Sequence, residues 1–406
     1  MRRNIHSPSR YDAVVCNYMR RQSSLPHVFG ICFIYAIIVS LIGCDDAPDT
    51  PLPNTPLDNP TIQSVDTTSH EYTWKTWHFG DTPTSHLQSV SAIHDDLAIA
   101  VGYIVFRNTD TTKSGRWSSY NAMKWDGAEW RPFTVLRQSI HDAEPRGGIK
   151  RYDTAYVSAR ATQESVWGEA PNNWSFYPSA NYWDGTTWVT ERFFYRSDSV
   201  SIFRFWGPER DRWYWGVNGY IVHGSGRNFK IQHRVVYDEI RGVAGNKDEA
   251  WAVGIGYPLW SNPFVLHYKY GTWQKLDFHL ASSLNSTEAV WSDDIGANPG
   301  GCVVMVGSHI ILYDSTWQNV TRPLGPLKLP HTRSFRCVHG TGRNNIWVGG
   351  DRGVVAHYNG KSWRHYPELD NEDISYYGAW ATKTRVFLVG KEGYQAVITV
   401  GTRVNK

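Results

Sequence analysis

Apolar residues along this chain come in short runs, set against polar positions and broken by Gly, Asn or Asp. Residues 334–366, SFRCVHGTGRNNIWVGGDRGVVAHYNGKSWRHY, show the pattern most clearly. They predict four strands, at 335–339, 346–349, 354–358 and 362–366. The connections carry Gly342, Asn344 and Asn345, then Gly350, Asp351 and Gly353, then Asn359-Gly360. Asn-Gly between two β-rich runs signals a hairpin, because both residues tolerate the positive φ of a type I′ turn. A lone four-stranded meander cannot bury both its faces, so it needs neighbours built like itself.

The rest of the chain supplies them. The first copy spans 89–135, with LAIAVG at 97–102 and Trp130 opening its fourth strand. The second spans 148–191, with TAYVSA at 154–159 as its apolar second strand and Trp188 opening its fourth. The third, 199–235, is the weakest and carries Phe229 in place of Trp. The fourth (239–276, with Trp273), the fifth (287–320, with Trp317) and the sixth (334–366, with Trp363) are clear. The seventh, 374–400, holds only three strands.

The missing strand lies at the other end of the protein. Residues 72–79, YTWKTWHF, stand alone before the first copy, and Trp74-Lys75-Thr76-Trp77 parallels Trp363-Arg364-His365-Tyr366. Joined to the seventh copy, this segment completes the last sheet and leaves no open edge. The period, roughly 43 residues, falls within the range of propeller blades. A solenoid would share the periodicity, but it needs capping units and has no use for a lone outer strand. The expected fold class is therefore all-β: a seven-bladed β-propeller of four-stranded antiparallel blades, closed by an N-terminal strand joining the last blade.

Repeated residues read as scaffold. Gly102, Gly216, Gly254, Gly307, Gly349 and Gly390 follow each second strand, where a tight turn or close packing near the axis is expected. The Trp opening each fourth strand is expected between neighbouring blades. The phrases VHGTGRNNIWVGGDRGVVAHYNGKSW and GVAGNKDEAWAVG resemble repeats of bacterial propeller lipoproteins and are similar to those of photosystem II assembly-factor propellers. The turns WDGAEW at Trp125, WDGTTW at Trp183 and YNGKSW at Tyr358 resemble a shortened Asp-box of the sialidase kind. The resemblance covers nearly all of 72–406 and identifies a fold repeat, which many functions share.

Ahead of the repeats lies a different kind of sequence. Residues 31–43, ICFIYAIIVSLIG, form an apolar run of signal-peptide length, preceded by Arg2, Arg3, Arg20 and Arg21. Met19 offers an alternative start with an ordinary basic n-region. Leu41-Ile42-Gly43-Cys44 resembles the lipobox of bacterial lipoproteins, which implies cleavage before Cys44 and a lipidated, palmitate-type anchor there. The alternative is a simple membrane anchor with a chance Cys. Asp45-Asp46 resemble sorting signals, leaving periplasmic and cell-surface destinations both open. The expected organisation is thus a signal peptide over 1–43, a disordered Pro/Thr/Asp tether over 44–71 and the repeat domain over 72–406.

The chain has 406 residues, with 20 Trp, 23 Tyr and 35 Gly against four Met, which fits β-structure rich in turns. A net charge of +3 gives no general attraction to nucleic acid. Of five Cys, three fall in the mature chain: Cys44, Cys302 and Cys337. The last two sit in neighbouring copies, where a disulfide between blades and two buried thiols are both open readings.

Catalytic signatures are sparse. No His-Glu-x-x-His, Gly-x-Ser-x-Gly or Gly-Lys-Ser/Thr motif is present, and His94, His223, His267, His309 and His357 are scattered as scaffold histidines are. No metal or cofactor is expected. Arg204, Arg210 and Arg212 cluster, but the early Phe/Tyr-Arg-Ile-Pro segment of sialidases is missing. Function is expected on three aromatic insertions between second and third strands: 106–120 with Trp117, 160–180 with Trp167, Trp174, Phe176 and Tyr177, and 257–262 with Trp260. There Trp117, Trp167, Trp174, Tyr177 and Trp260 either grip a ligand or fold down to cover blade ends. The expected protein is a lipid-anchored, non-catalytic binding or assembly platform of the bacterial cell envelope, with a protein or glycan partner. The alternative is a glycan-active hydrolase or lyase using the central channel, which would gather a carboxylate pair and several arginines at the axis.

Overall fold

The computed structural model describes residues 67–109, 116–135, 138–139, 156–157, 165–170, 173–177, 181–183, 188–190, 204–207, 212–215, 219–225, 228–234, 239–256, 262–276, 287–292, 302–314, 316–321 and 334–404. The leader, Cys44 and most of the tether lie outside them, as does Trp260. Among the described residues there are seven four-stranded antiparallel sheets and one two-stranded sheet. Six of the four-stranded sheets run in chain order from first strand to fourth. The seventh takes Ile374–Ala381, Arg385–Glu392 and Gln395–Arg403 from the C-terminus and its outermost strand, Tyr72–Phe79, from the N-terminus. That strand pairs along its whole length, from Tyr72 opposite Arg403 to Phe79 opposite Ala396. The expected completing strand is therefore in place.

The sheets bury their faces against each other. One core cluster joins Trp291, Val304 and Ile310 of sheet five to Phe335, Ile346 and Val354 of sheet six; another joins Phe387 and Ile398 of sheet seven to Leu87, Ile104 and Met123 of sheet one. Sheets three and four, four and five, and six and seven share clusters in the same way. Burying an aliphatic side chain contributes about 1.5–3 kcal/mol, and five of the described clusters draw on two sheets at once. First strands of successive sheets touch one another, and His86–His94 of sheet one touches Ile374–Ala381 of sheet seven. The first strands thus form an inner ring, and the fold is an all-β propeller.

The repeated tryptophans take the place expected of them. Trp130 of sheet one packs edge-on against Phe387 of sheet seven, at 6.0 Å between centroids. Trp273 of sheet four meets Trp213 of sheet three at 5.4 Å. Trp363 joins the cluster of sheets five and six. Trp74, the fourth-strand Trp of sheet seven, meets Trp347 and Tyr366 of sheet six at 5.8 and 5.0 Å.

One expectation needs correction, and of the two readings left open for the cysteines the structure has the buried thiols. Residues 160–180 are not a loop projecting from a finished sheet: Ser165–Ala170 and Asn173–Tyr177 are themselves the first two strands of sheet two, completed by Asn181–Trp183 and Trp188–Thr190. The segment read as the second strand, Tyr156–Val157, pairs instead with Gln138–Ser139 in the two-stranded sheet. Ala170 pairs with Asn173, and the sequence between them is Pro171-Asn172, two residue types that favour turns. Cys302 and Cys337 form no disulfide, although both are buried. Their thiols belong to different core layers, Cys302 to that of sheets five and six and Cys337 to that of six and seven. Cys337 Sγ donates to Gly349 O at 3.5 Å, and burial pushes its thiol up to about 12.

Candidate functional site: a charged rim on the inner ring

The first strands share an irregularity that places polar residues at the ring. In five sheets the pairing between first and second strand slips by one residue near the start of the first strand: between Leu87 and Ser89, Ile240 and Gly242, Thr287 and Ala289, Phe335 and Cys337, and Tyr376 and Gly378. The extra residue in each case is Gln88, Arg241, Glu288, Arg336 or Tyr377. A β-bulge leaves its extra residue outside the ladder and re-aims its side chain. A small residue follows each of them, namely Ser89, Gly242, Ala289, Cys337 or Gly378, because the next sheet approaches there. A Cβ on Gly242 would stand 3.0 Å from Val290 N, and one on Gly378 3.0 Å from Ser89 Cα.

These residues meet across sheet boundaries. Arg241 of sheet four donates from Nη1 to Glu288 Oε1 of sheet five at 2.5 Å, and its Nη2 lies 3.5 Å from Glu239 Oε2. Arg336 of sheet six donates from Nε to Asp351 Oδ1 at 2.6 Å, and its guanidinium lies 5.8 Å from the Tyr377 ring of sheet seven. The hydrogen bond to Asp351 raises the Arg336 pKa above its ordinary value despite burial. Tyr377 and Gln88 then line one open cavity at the seam of sheets seven and one, together with Pro83, Thr84, His86, Tyr103 and Lys391.

The residues singled out from sequence are placed differently. Trp117 opens the third strand of sheet one opposite Arg107 and is 50% exposed, as a ligand-stacking residue would be. Trp167 lies in the first strand of sheet two, and Trp174 and Tyr177 in its second; their side chains are outside the described residues. The bulged residues were missed. Their signature is nevertheless in the sequence, as QSVSA at Gln88, RGVAG at Arg241, EAVWS at Glu288, RCVHG at Arg336 and YGAWA at Tyr377: a large side chain, a small one, then the apolar strand.

The scattered histidines are scaffold. Trp213, Trp251 and Trp347 each stack on the histidine paired with them across the second and third strands, His223, His267 and His357, at 4.0, 3.9 and 4.1 Å. The last pair anchors the N-terminal segment. Asn345 Nδ2 donates to Thr382 O at 3.2 Å, which turns its Oδ1 toward Trp347 Nε1–H at 2.9 Å and His357 Nε2–H at 3.1 Å. His357 Nδ1 therefore accepts from His70 Nδ1–H at 3.0 Å, and His70 Nε2 accepts from the Ser362 hydroxyl at 3.1 Å. Burial lowers the pKa of both histidines, and both are neutral in this chain of bonds. The Asp-box-like turns are local too: Asp126 Oδ1 accepts from the backbone N–H of Ala128 and Glu129, and Asn359 Oδ1 from those of Lys361 and Ser362. Among the described residues no group of three or more His, Cys, Asp or Glu is arranged to hold a metal ion.

The rim sits on a widespread architecture. A structure of YCF48 bound to a D1 peptide superposes with a TM-score of 0.54 at 16% identity, covering 84% of this chain and all of that one. YCF48 from Cyanidioschyzon merolae superposes at 0.50 with 13% identity, covering 81% of this chain and 98% of that one. The WD40 propeller domain of Doa1 gives 0.51 at 9% identity, covering 82% and 98%. At these identities the likeness establishes the fold. No protein-family model matches the chain, and no curated protein is significantly similar to it.

Proposed function

We propose that this chain is a lipid-anchored, extracytoplasmic binding or assembly platform that takes an extended protein segment across its inner rim and performs no catalysis. The observation that carries this reading is the array of bulged residues on five first strands, which offers charged and aromatic side chains in a row on a rigid ring. That a propeller of the same fold, YCF48, holds a D1 peptide supports a protein segment as the ligand class. The lipobox-like Cys44 behind its apolar run supports the anchor.

The glycan-active alternative asks for carboxylates and arginines at the axis, and Glu288, Asp351, Arg241 and Arg336 are there. Each carboxylate, however, is held in an ion pair. An acid–base pair needs one carboxylate kept protonated near neutral pH by burial or a like charge, and an arginine partner works against that. The rim is therefore read as a binding surface.

Photo-crosslinking residues placed at Arg241 and at Arg336 in membranes are expected to trap a discrete protein, and one at Thr73 on the outermost strand to trap none. Absence of an adduct, or equal adducts from all three sites, would defeat the platform reading. Cys44→Ala is expected to abolish palmitate labelling and release the chain from the membrane fraction; retention there would count against the lipid anchor.

A further inference from the structure

The cavity at the seam of sheets seven and one, about 510 Å³, differs from the rest of the rim in its bonding. Around Arg241 and Arg336 every charge is matched. In the cavity the polar ends of Gln88, Tyr103, Tyr377 and Lys391 make no hydrogen bond or ion pair among the described residues. Among the neighbouring carboxylates Glu392 is engaged with His78 and Asn371, Asp351 with Arg336 and Asp81 with the Arg107 backbone N–H, while Asp373, two residues from the cross-strand partner of Lys391, makes no ion pair with it. Lys391 thus faces the cavity without a counter-charge. His86 donates from Nδ1 to Thr84 O at 2.7 Å, which leaves Nε2 as an acceptor. The nearby Tyr376, whose hydroxyl bonds Thr399 at 2.8 Å, shows what a structural tyrosine does here by contrast.

We propose that this cavity binds a carboxylated sugar, a hexuronate unit of an acidic saccharide. Lys391 meets the carboxylate. The two phenols and the Gln88 amide each donate and accept, and His86 Nε2 accepts, which suits a ring of hydroxyls that do both. Tyr103 and Tyr377 offer ring faces for the apolar side of a pyranose. An acidic peptide is the rival occupant, and the titration below separates the two. The site shares Gln88 and Tyr377 with the bulged rim that carries the protein-segment reading, but its charge, Lys391, lies outside that rim.

The test is calorimetric titration of the purified full-length chain in detergent with digalacturonate, with the neutral galactose disaccharide, and with a glutamate-rich peptide. Saturable binding is expected for digalacturonate, weakened about tenfold or more for the neutral sugar. Lys391→Met is expected to weaken the acidic sugar about tenfold and leave the neutral one unchanged, and Tyr103→Ala to weaken both. Circular dichroism and the unfolding midpoint establish that each variant is folded. No saturable heat below roughly 10 mM, a scale of very weak affinity, overturns the proposal. So does equal affinity for both sugars, indifference to both substitutions, or a peptide that binds at Lys391 while the sugar does not compete.

Discussion

Gly390 stands where the second strand of sheet seven runs closest to the bulged first strand, and a Cβ there would lie 1.9 Å from Ser375 O. Nothing flexible can yield, since the obstacle is backbone. Gly390→Ala is expected to destabilise the fold by about 3 kcal/mol. Gly393, three residues on in the hairpin turn, has open space around it and φ of +52°, so Gly393→Ala should cost about 1 kcal/mol. Urea unfolding of the two variants measures the difference, and equal losses would refute the close-approach account. The sequence located these glycines at the ends of second strands but misjudged sheet six by one residue. There Gly350, not Gly349, makes the close approach, 2.0 Å from Ser334 O, because Gly350 pairs with Phe335, the residue before the bulge, as Gly390 pairs with Tyr376. Gly349-Gly350 offers two adjacent candidates, and only the pairing tells them apart.

The strand Tyr72–Phe79 shows what can be read at the scale of elements. Its two tryptophans, spaced as a fourth strand spaces its aromatics, revealed that the last sheet was one strand short. Deleting residues 67–79 is expected to expose the Gln395–Arg403 edge and increase the particle size through edge-to-edge association or aggregation, seen by light scattering. An unchanged particle size and stability would refute the role given to this strand. Its N-terminal anchor is pH-sensitive. His70 and His357 have folded pKa values below the ordinary 6.5, so the unfolded chain binds more protons as pH falls through that value. Their contribution is complete above about pH 6.5 and lost progressively below it. The unfolding midpoint should fall between pH 7 and pH 5, and fall less steeply in His357→Gln, which removes one of the titrating groups. Sheet two was misread at this same scale, since TAYVSA imitates an apolar second strand while the true strands lie in an aromatic hairpin. Local composition cannot rank two candidate strands when only pairing partners distinguish them.

At the scale of the molecule, the ring depends on the seam where the first and last sheets meet. Asp95, in the hairpin turn of sheet one, accepts through its carboxylate from the hydroxyls of Thr382 and Thr384 of sheet seven, while its backbone carbonyl accepts from Arg385 Nη1 at 2.7 Å. Asp95→Ala is expected to lower stability by about 2 kcal/mol, and Asp96→Ala, whose side chain is exposed, by less than about 1 kcal/mol. Thermal unfolding decides, and equal small shifts would mean that the seam is held by apolar packing alone. The residues of a binding site were legible only in part. Trp117 stood out because an aromatic there departs from the blade pattern, and the structure leaves it half exposed. Arg241, Glu288 and Arg336 were not, since each lies about one repeat from the next and only closure of the ring sets them side by side. Strand and turn alternation, the repeat and the identity of the completing strand were written in the chain, because near-neighbour chemistry and burial of one face dictate them. Which side chains gather at the rim, which cavity keeps a lone ammonium and which thiols lie in separate layers were settled by folding. Those outcomes turn on contacts between distant segments, which no local pattern encodes even where the bulge motif itself is local.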